Sequence, residues 1–231
     1  MKNPIIKLRL ENFMTEKTKE LNNWVGEKLC KKAVAALNNN RFKAEYCEDS
    51  LAARKRALEL AAGATTVGFG GSRTITDIEL VDELVANGAT ILNHGNPELS
   101  PEEKMALMKQ QQTCSVFFSS ANAITLDGAI VNIDGVGNRV SAMIFGPEKV
   151  IIVAGRNKLV DGDICDAIKR IKALACPPNT YRLGKKTPCA ETGICVNCNS
   201  PERICNVTTI LEKCPRATDI YVLVVNEEMG F

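Results

Sequence analysis

The sequence predicts an α/β fold, a largely parallel sheet flanked by helices. Short apolar, β-branched runs alternate with stretches of helical periodicity as far as residue 175. Connections between them are short, and right-handed crossover makes successive strands parallel. A chain of 231 residues with 45% hydrophobic content is also large enough to bury a full core.

Between residues 15 and 37, Leu21, Trp24, Val25, Leu29, Ala33 and Leu37 recur at helical spacing, and Asn38-Asn39-Asn40 breaks the pattern. Trp24 lies on that stripe and is expected in the core. Phe42, Ala44 and Tyr46 alternate as a first strand. Asp49 or Ser50 caps a helix reaching Ala62, with Gly63 ending it.

A β-branched strand at residues 64–67 then runs into the loop Gly68-Phe69-Gly70-Gly71-Ser72-Arg73. Thr76 and Glu79 read as a capping box for a helix carrying Ile78, Val81, Leu84 and Val85, and residues 89–93 form the next strand. Glycines let backbone N–H groups point inward, a following helix start adds partial positive charge, and Arg73 supplies a full one. The loop therefore reads as a phosphate or carboxylate site, or else as tight strand-to-helix packing; it matches neither the P-loop nor the dinucleotide fingerprint. His94, the only histidine, reads as a turn residue rather than an acid or base.

Ser100, Pro101 and Glu103 start a helix running to Thr113, with Met105 and Met108 as core filler. Residues 115–119 form a strand that delivers Ser120 and Asn122 into the central stretch, 119–146. There a buried strand at 129–133 leads into Asp134-Gly135, and Gly137, Asn138 and Arg139 follow at its end. This stretch reads as the site wall, with an ordinary polar hairpin as the alternative. Residues 150–154 are another buried strand, followed by the loop Gly155-Arg156-Asn157-Lys158. A helix over 162–175 turns Ile164, Ala167, Ile168, Ile171 and Leu174 inward, and residues 219–225 return as a last strand. The organisation is one domain: a helical segment over 1–63, an α/β core over 64–175, a cysteine-rich segment over 176–218 and the returning strand over 219–231.

Cys176, Cys189, Cys195, Cys198, Cys205 and Cys214 crowd into the cysteine-rich segment. Cys189, Cys195, Cys198 and Cys205 offer four thiolates at spacings that could close on zinc or an iron–sulfur cluster. Free structural thiols, or a redox pair at Cys195 and Cys198, are the other readings. Lys and Arg outnumber Asp and Glu by only two, and no basic run is interleaved with aromatics, so nucleic acid is not the expected partner. Neither a signal-type N-terminus nor a membrane-length apolar run is seen, which predicts a cytoplasmic protein with reduced thiols.

Residues 67–72, 120–125 and 131–140 together with the tail from Cys189 to Cys205 resemble the lactate-utilisation (LUD-domain) family over nearly the whole chain. The resemblance implies a fold similar to ribose-phosphate isomerases and CoA transferases, and a role in oxidising L-lactate to pyruvate alongside iron–sulfur partner subunits. It implies an anionic ligand, phosphorylated, CoA-type or a hydroxy acid, held by Gly68, Gly70, Gly71, Ser72 and Arg73. Ser120, Asn122, Asn132, Gly135, Gly137, Asn138 and Arg139 would line the same site, with Asp134 as acid or base. A stand-alone isomerase or group transferase, or a metal or iron–sulfur module, are the alternative functions, and a homo-oligomer is an open expectation. The central stretch lacks the Glu that CoA transferases use as nucleophile.

Overall fold

The structure is a computed structural model that describes the backbone of residues 4–231 and the side chains of residues 15–231. The N-terminal stretch on which the leader expectation rests thus lies partly outside the described residues. Helix α1 (Pro4–Asn39) leads into strand β1 (Lys43–Cys47), α2 (Ser50–Leu60), β2 (Thr66–Phe69), α3 (Arg73–Asp77), α4 (Val81–Ala86) and β3 (Thr90–Leu92). Then come α5 (Pro101–Gln110), β4 (Val116–Ser119), β5 (Ala123–Thr125), β6 (Ile130–Asp134), α6 (Asn138–Ile144), β7 (Lys149–Gly155) and β8 (Leu159–Val160). The chain closes with α7 (Ile164–Arg170), α8 (Cys176–Arg182), α9 (Pro188–Thr192), β9 (Val207–Leu211) and β10 (Asp219–Val225).

Six strands form a parallel sheet in the order β1-β10-β7-β4-β2-β3. Its inner strands alternate strictly. Val150, Ile152 and Ala154 of β7 pack with α1, α6 and the small sheet, while Ile151 and Val153 pack with α2, α3 and α4 on the other face. The returning strand β10 sits between β1 and β7, so its apolar run IYVLVV is covered on both faces.

The central stretch does not join this sheet. Strands β5 and β6 belong to a second, four-stranded sheet, β8-β5-β6-β9, whose outer face packs on α7 and the turn following it. A single π-turn over residues 171–175 links α7 directly to α8.

Several expectations are corrected. Trp24 is 58% exposed, and α1 buries Cys30, Ala33 and Leu37 instead of the Leu21-Trp24-Val25-Leu29 edge, because small residues let the helix approach the sheet closely. Thr76 and Glu79 form no capping box. Ser72 caps the short α3 by accepting from the Ile75 N–H, and Glu79 sits in the turn before α4 at φ 46°. Helix α5 does show the Ser100–Glu103 box, but it lies on the surface and Met105 is exposed. Leu174 also faces solvent, since the π-turn rotates it away from Ile171.

The turn between β5 and β6 is seated on α1, where Asn40 Nδ2 donates to the carbonyls of Asp127 and Gly128. Gly128 has φ 88°, and a Cβ there would meet the Ala36 backbone at 2.7 Å. Gly184, at φ 61°, has open space around it. Gly128→Ala is expected to destabilise by about 3 kcal/mol or more, and Gly184→Ala by only about 1 kcal/mol. Urea unfolding of the two variants measures the difference; equal losses would contradict the seating of this turn on α1.

Candidate functional site

The site lies at the carboxyl ends of β2, β4 and β7. The connection after β2 runs outward to β3, whereas the chain after β4 proceeds to β7 on the opposite side. Neighbouring strands whose exits diverge leave a crevice between them, the usual ligand position in open α/β sheets. The crevice holds a cavity of about 100 Å³ lined by Gly70, Gly71, Ser72, Arg73, Ser120 and Lys158 together with Asn122, Arg139, Asn179 and Arg182.

Arg139 organises its wall. From the start of α6 it reaches back under the small sheet. Its Nε donates to Asp134 Oδ2 at 3.0 Å, Nη1 to Asn132 Oδ1 at 2.9 Å and to the Ser120 carbonyl at 3.3 Å, and Nη2 to Asn122 Oδ1 at 3.1 Å and to the Ile133 carbonyl at 2.9 Å. A guanidinium has five N–H donors, and these five bonds engage all of them. The two amides are themselves interlocked, Asn132 Oδ1 accepting from the Asn122 N–H and Asn122 Oδ1 from the Ile133 N–H. Asp134 Oδ1 accepts from the N–H groups of Val136 and Gly137, which folds the turn into α6. Gly70 has no side chain because Arg139 occupies the space: a Cβ there would meet its Cγ at 2.8 Å. Gly71, at φ 70°, turns the chain into Ser72.

Lys158 is the residue that sequence reasoning left out of the site. It is 3% exposed, and its Nζ donates to Thr74 Oγ1 and Ser120 Oγ, both at 2.7 Å. An ammonium has three donors, so a third is left for an occupant of the cavity. Burial pushes its pKa down to about 7, with the like charges of Arg170 and Arg139 adding to the shift and Asp77 opposing it. Arg170 bonds the carbonyls of Asn122 and Asn157, and its buried Nε has no partner. Arg73, half exposed, pairs with Asp77 at 2.7 Å. The side chains that line the cavity are thus basic or neutral, with no Asp or Glu among them. The only hint in the sequence was the position of Lys158 in a loop after a buried strand, shared by many surface lysines.

Of the expected ligand residues, Gly70, Gly71, Ser72, Arg73, Ser120, Asn122 and Arg139 come together on this cavity. Gly68 lies deeper, against Phe117, Gln111 and Cys114. Asn132 and Asp134 are buried behind the wall as partners of Arg139, Gly135 packs on Ile204, and Gly137 and Asn138 open onto a different groove. Asp134 therefore serves as an anchor for Arg139 and for the turn. With α3 only five residues long, the positive character of the site comes from side chains rather than from a helix start. His94 Nδ1 pairs with the Gln111 side chain at 3.0 Å, and burial lowers its pKa.

Behind this wall, Cys176, Cys189, Cys195, Cys198 and Cys205 line a second, small cavity together with Arg203. Burial, reinforced by the thiols of Cys205, Cys195 and Cys189, pushes Cys176 up to about 12. Among the described residues no three His, Cys, Asp or Glu side chains are arranged to hold a metal ion as they stand, and none of the helices is long and apolar enough to cross a membrane.

Comparison with known proteins places the chain. A family model described as the LUD domain matches residues 30–225. No curated protein matches. A solved structure of a DUF162 family protein from Deinococcus radiodurans, at 12% identity, matches over 87% of this chain and 98% of its own length with a TM-score of 0.51, a likeness of fold.

Arg139→Met would leave Asp134, Asn122 and Asn132 without their buried donor and is expected to cost about 3–5 kcal/mol in chemical denaturation. Arg73→Ala, removing one exposed ion pair, should stay within about 0.5 kcal/mol of the parent. A mild effect at Arg139 would mean the wall does not depend on it.

Proposed function

The chain belongs to the LUD-domain family, and we propose that it serves lactate-type organic-acid utilisation by binding a small carboxylate, a hydroxy or keto acid, in the cavity at Lys158. One observation carries the reading: a lysine almost wholly buried, with one donor left over, in a cavity lined by cationic and hydroxyl side chains but by no Asp or Glu side chain. Lys158, Arg139 and Arg170 repel one another there, and an anion relieves that repulsion while filling the free donor.

Size favours a small acid. Pockets for drug-sized ligands run to about 300–1,000 Å³, and a cavity of about 100 Å³ suits a molecule of a few heavy atoms better than a CoA ester or a nucleotide. The absence of a Glu from the lining also gives no support to a CoA-transferase mechanism. With a pKa of about 7, Lys158 is populated in both protonation states near neutrality. It is therefore the group best placed to give or take a proton at the hydroxyl or carbonyl of a bound acid. Ser120 and Thr74 hold the amine in position, and Arg73 and Arg182, exposed residues of the same lining, attract the anion.

The test is a thermal-shift panel of L-lactate, pyruvate, other small hydroxy and keto acids, sugar phosphates and CoA esters. A small acid at a hundredfold excess over its Kd is expected to add about 2.7 kcal/mol, roughly 5–10 °C for a chain of this size. A response confined to CoA esters or sugar phosphates, or no response at all, would overturn the reading.

The pKa of Lys158 sets the sign of the pH dependence. A bound anion raises it, so above pH 7 binding takes up a proton and affinity falls as pH rises; below pH 7 the amine is already charged and affinity levels off. Calorimetry in buffers of different ionisation enthalpy detects that uptake. Lys158→Met should abolish binding. Because it also removes a buried charge, its stability at pH 7 is expected to lie within about 1 kcal/mol of the parent or above it.

A further inference from the structure

We propose that Cys189, Cys195, Cys198 and Cys205 hold an iron–sulfur cluster in the cavity that they line with Cys176 and Arg203. This goes beyond the anion site and does not depend on it.

The geometry brings together residues that are far apart in sequence. Cys176 begins α8, Cys189 lies in α9, and the other three follow on a segment without regular secondary structure that folds back over both helices. Such a segment lacks ladder hydrogen bonds, so something else must fix it. Part of the answer is the backbone: the Asn206 N–H donates to the Asp134 carbonyl at 2.9 Å, and Gly135 lets Ile204 approach closely enough that a Cβ there would meet its Cα at 3.1 Å. Ser200 Oγ also donates to the Lys186 carbonyl and Glu202 accepts from the Lys186 N–H, while Cys195, Cys198 and Cys205 of the segment line the cavity.

Arg203 is the second observation. Its Nη1 donates to the Cys198 carbonyl and its Nη2 to the Cys205 carbonyl at 2.8 Å, which clamps the two ends of the last cysteine spacing. Its Nε is buried with no partner, on the wall of the same cavity. A buried guanidinium N–H without an acceptor is unfavourable, and a cluster sulfide in the cavity would give it a charge-assisted one. The five thiols line one cavity, and among the described residues no three of them converge as they stand to hold a single ion. That spread suits ligands bound to separate irons better than one tetrahedral ion with Zn–S bonds of about 2.3 Å. On assembly each of the four ligands forms an iron–sulfur bond and releases its S–H proton to solvent. Cys176, fixed at the start of a helix, completes the wall as a fifth thiol, and the four ligands lie at C-x5-C-x2-C-x6-C spacing.

The experiment is anaerobic reconstitution of the full chain with ferrous iron and sulfide, followed by desalting and assay of iron, zinc and acid-labile sulfide. Iron and sulfide in equal amounts, about two or about four of each per chain, are expected, with a visible absorption that bleaches on reduction by dithionite. Cys198→Ser should lose both, while Cys176→Ser and the exposed Cys165→Ser keep them; circular dichroism checks that each variant folds. Zinc without sulfide, or neither metal, in the unmodified chain overturns the proposal whether or not Cys198→Ser folds. A cluster that survives Cys198→Ser but not Cys176→Ser overturns the ligand set. Because the assay uses no organic acid, its result is independent of the thermal-shift panel.

Discussion

Five hydrogen bonds from one buried guanidinium hold the site together. Arg139 joins the end of β4, the amides of β6 and the β4–β5 connection, and the turn into α6. None of these segments is fixed against the others by a shared sheet, since β4 belongs to the six-stranded sheet and β6 to the four-stranded one. Removing a charged, fully bonded side chain from water is costly unless each donor finds an acceptor. Here all five do, and the same acceptors have no other buried donor of comparable strength. The arrangement therefore specifies one relative placement of the two sheets, and with it the wall of the crevice at the ends of β2 and β4.

That solution creates an electrostatic problem. Asp134 neutralises Arg139, but Arg170 and Lys158 stand close by with only Asp77 acting on Lys158 from the acidic side. Burial is the main cause of the fall in the Lys158 pKa, and the like charges of Arg170 and Arg139 add to it, so the charged form of this lysine is held in the crevice at a cost. Stability given up at a site is common where a ligand restores it. The orphaned Arg170 Nε belongs to the same pattern: a cation whose remaining hydrogen-bonding capacity no protein group meets.

Much of the fold was legible because its signals are local. The Asp49 and Ser100 caps, the apolar runs of β7 and β10 and the glycine loop after β2 each depend on a few adjacent residues. The second sheet was not legible: β5 and β6 are as apolar as a buried parallel strand, and periodicity does not tell which sheet a strand joins. At α1 the large Trp24 is exposed while the small Cys30 and Ala33 are buried, because close helix-to-sheet approach selects small side chains. In the site, seven of the expected ligand residues meet at one cavity. Arg139 and Asp134 were singled out as chemistry-bearing residues, and their mutual bond shows why such residues need not face the ligand. Lys158 had no signal of its own, since only tertiary burial distinguishes it from the lysines on the surface.

The two cavities are not independent pieces of the fold. Helix α8 begins with Cys176 on the thiol cavity and carries Asn179 and Arg182 on the Lys158 cavity. Strand β6 and its turn do the same from the other side, with Ile133 lining the anion cavity and Gly135 supporting the cysteine segment. The two are joined at Asp134, whose carbonyl accepts from the cysteine segment and whose carboxylate accepts from Arg139. Interiors are close-packed and have few intermediate arrangements, so a loosened cysteine segment would disturb the Arg139 network rather than be absorbed beside it. Cysteine-rich tail and glycine-rich loop, some hundred residues apart in sequence, thus act on one wall from opposite sides.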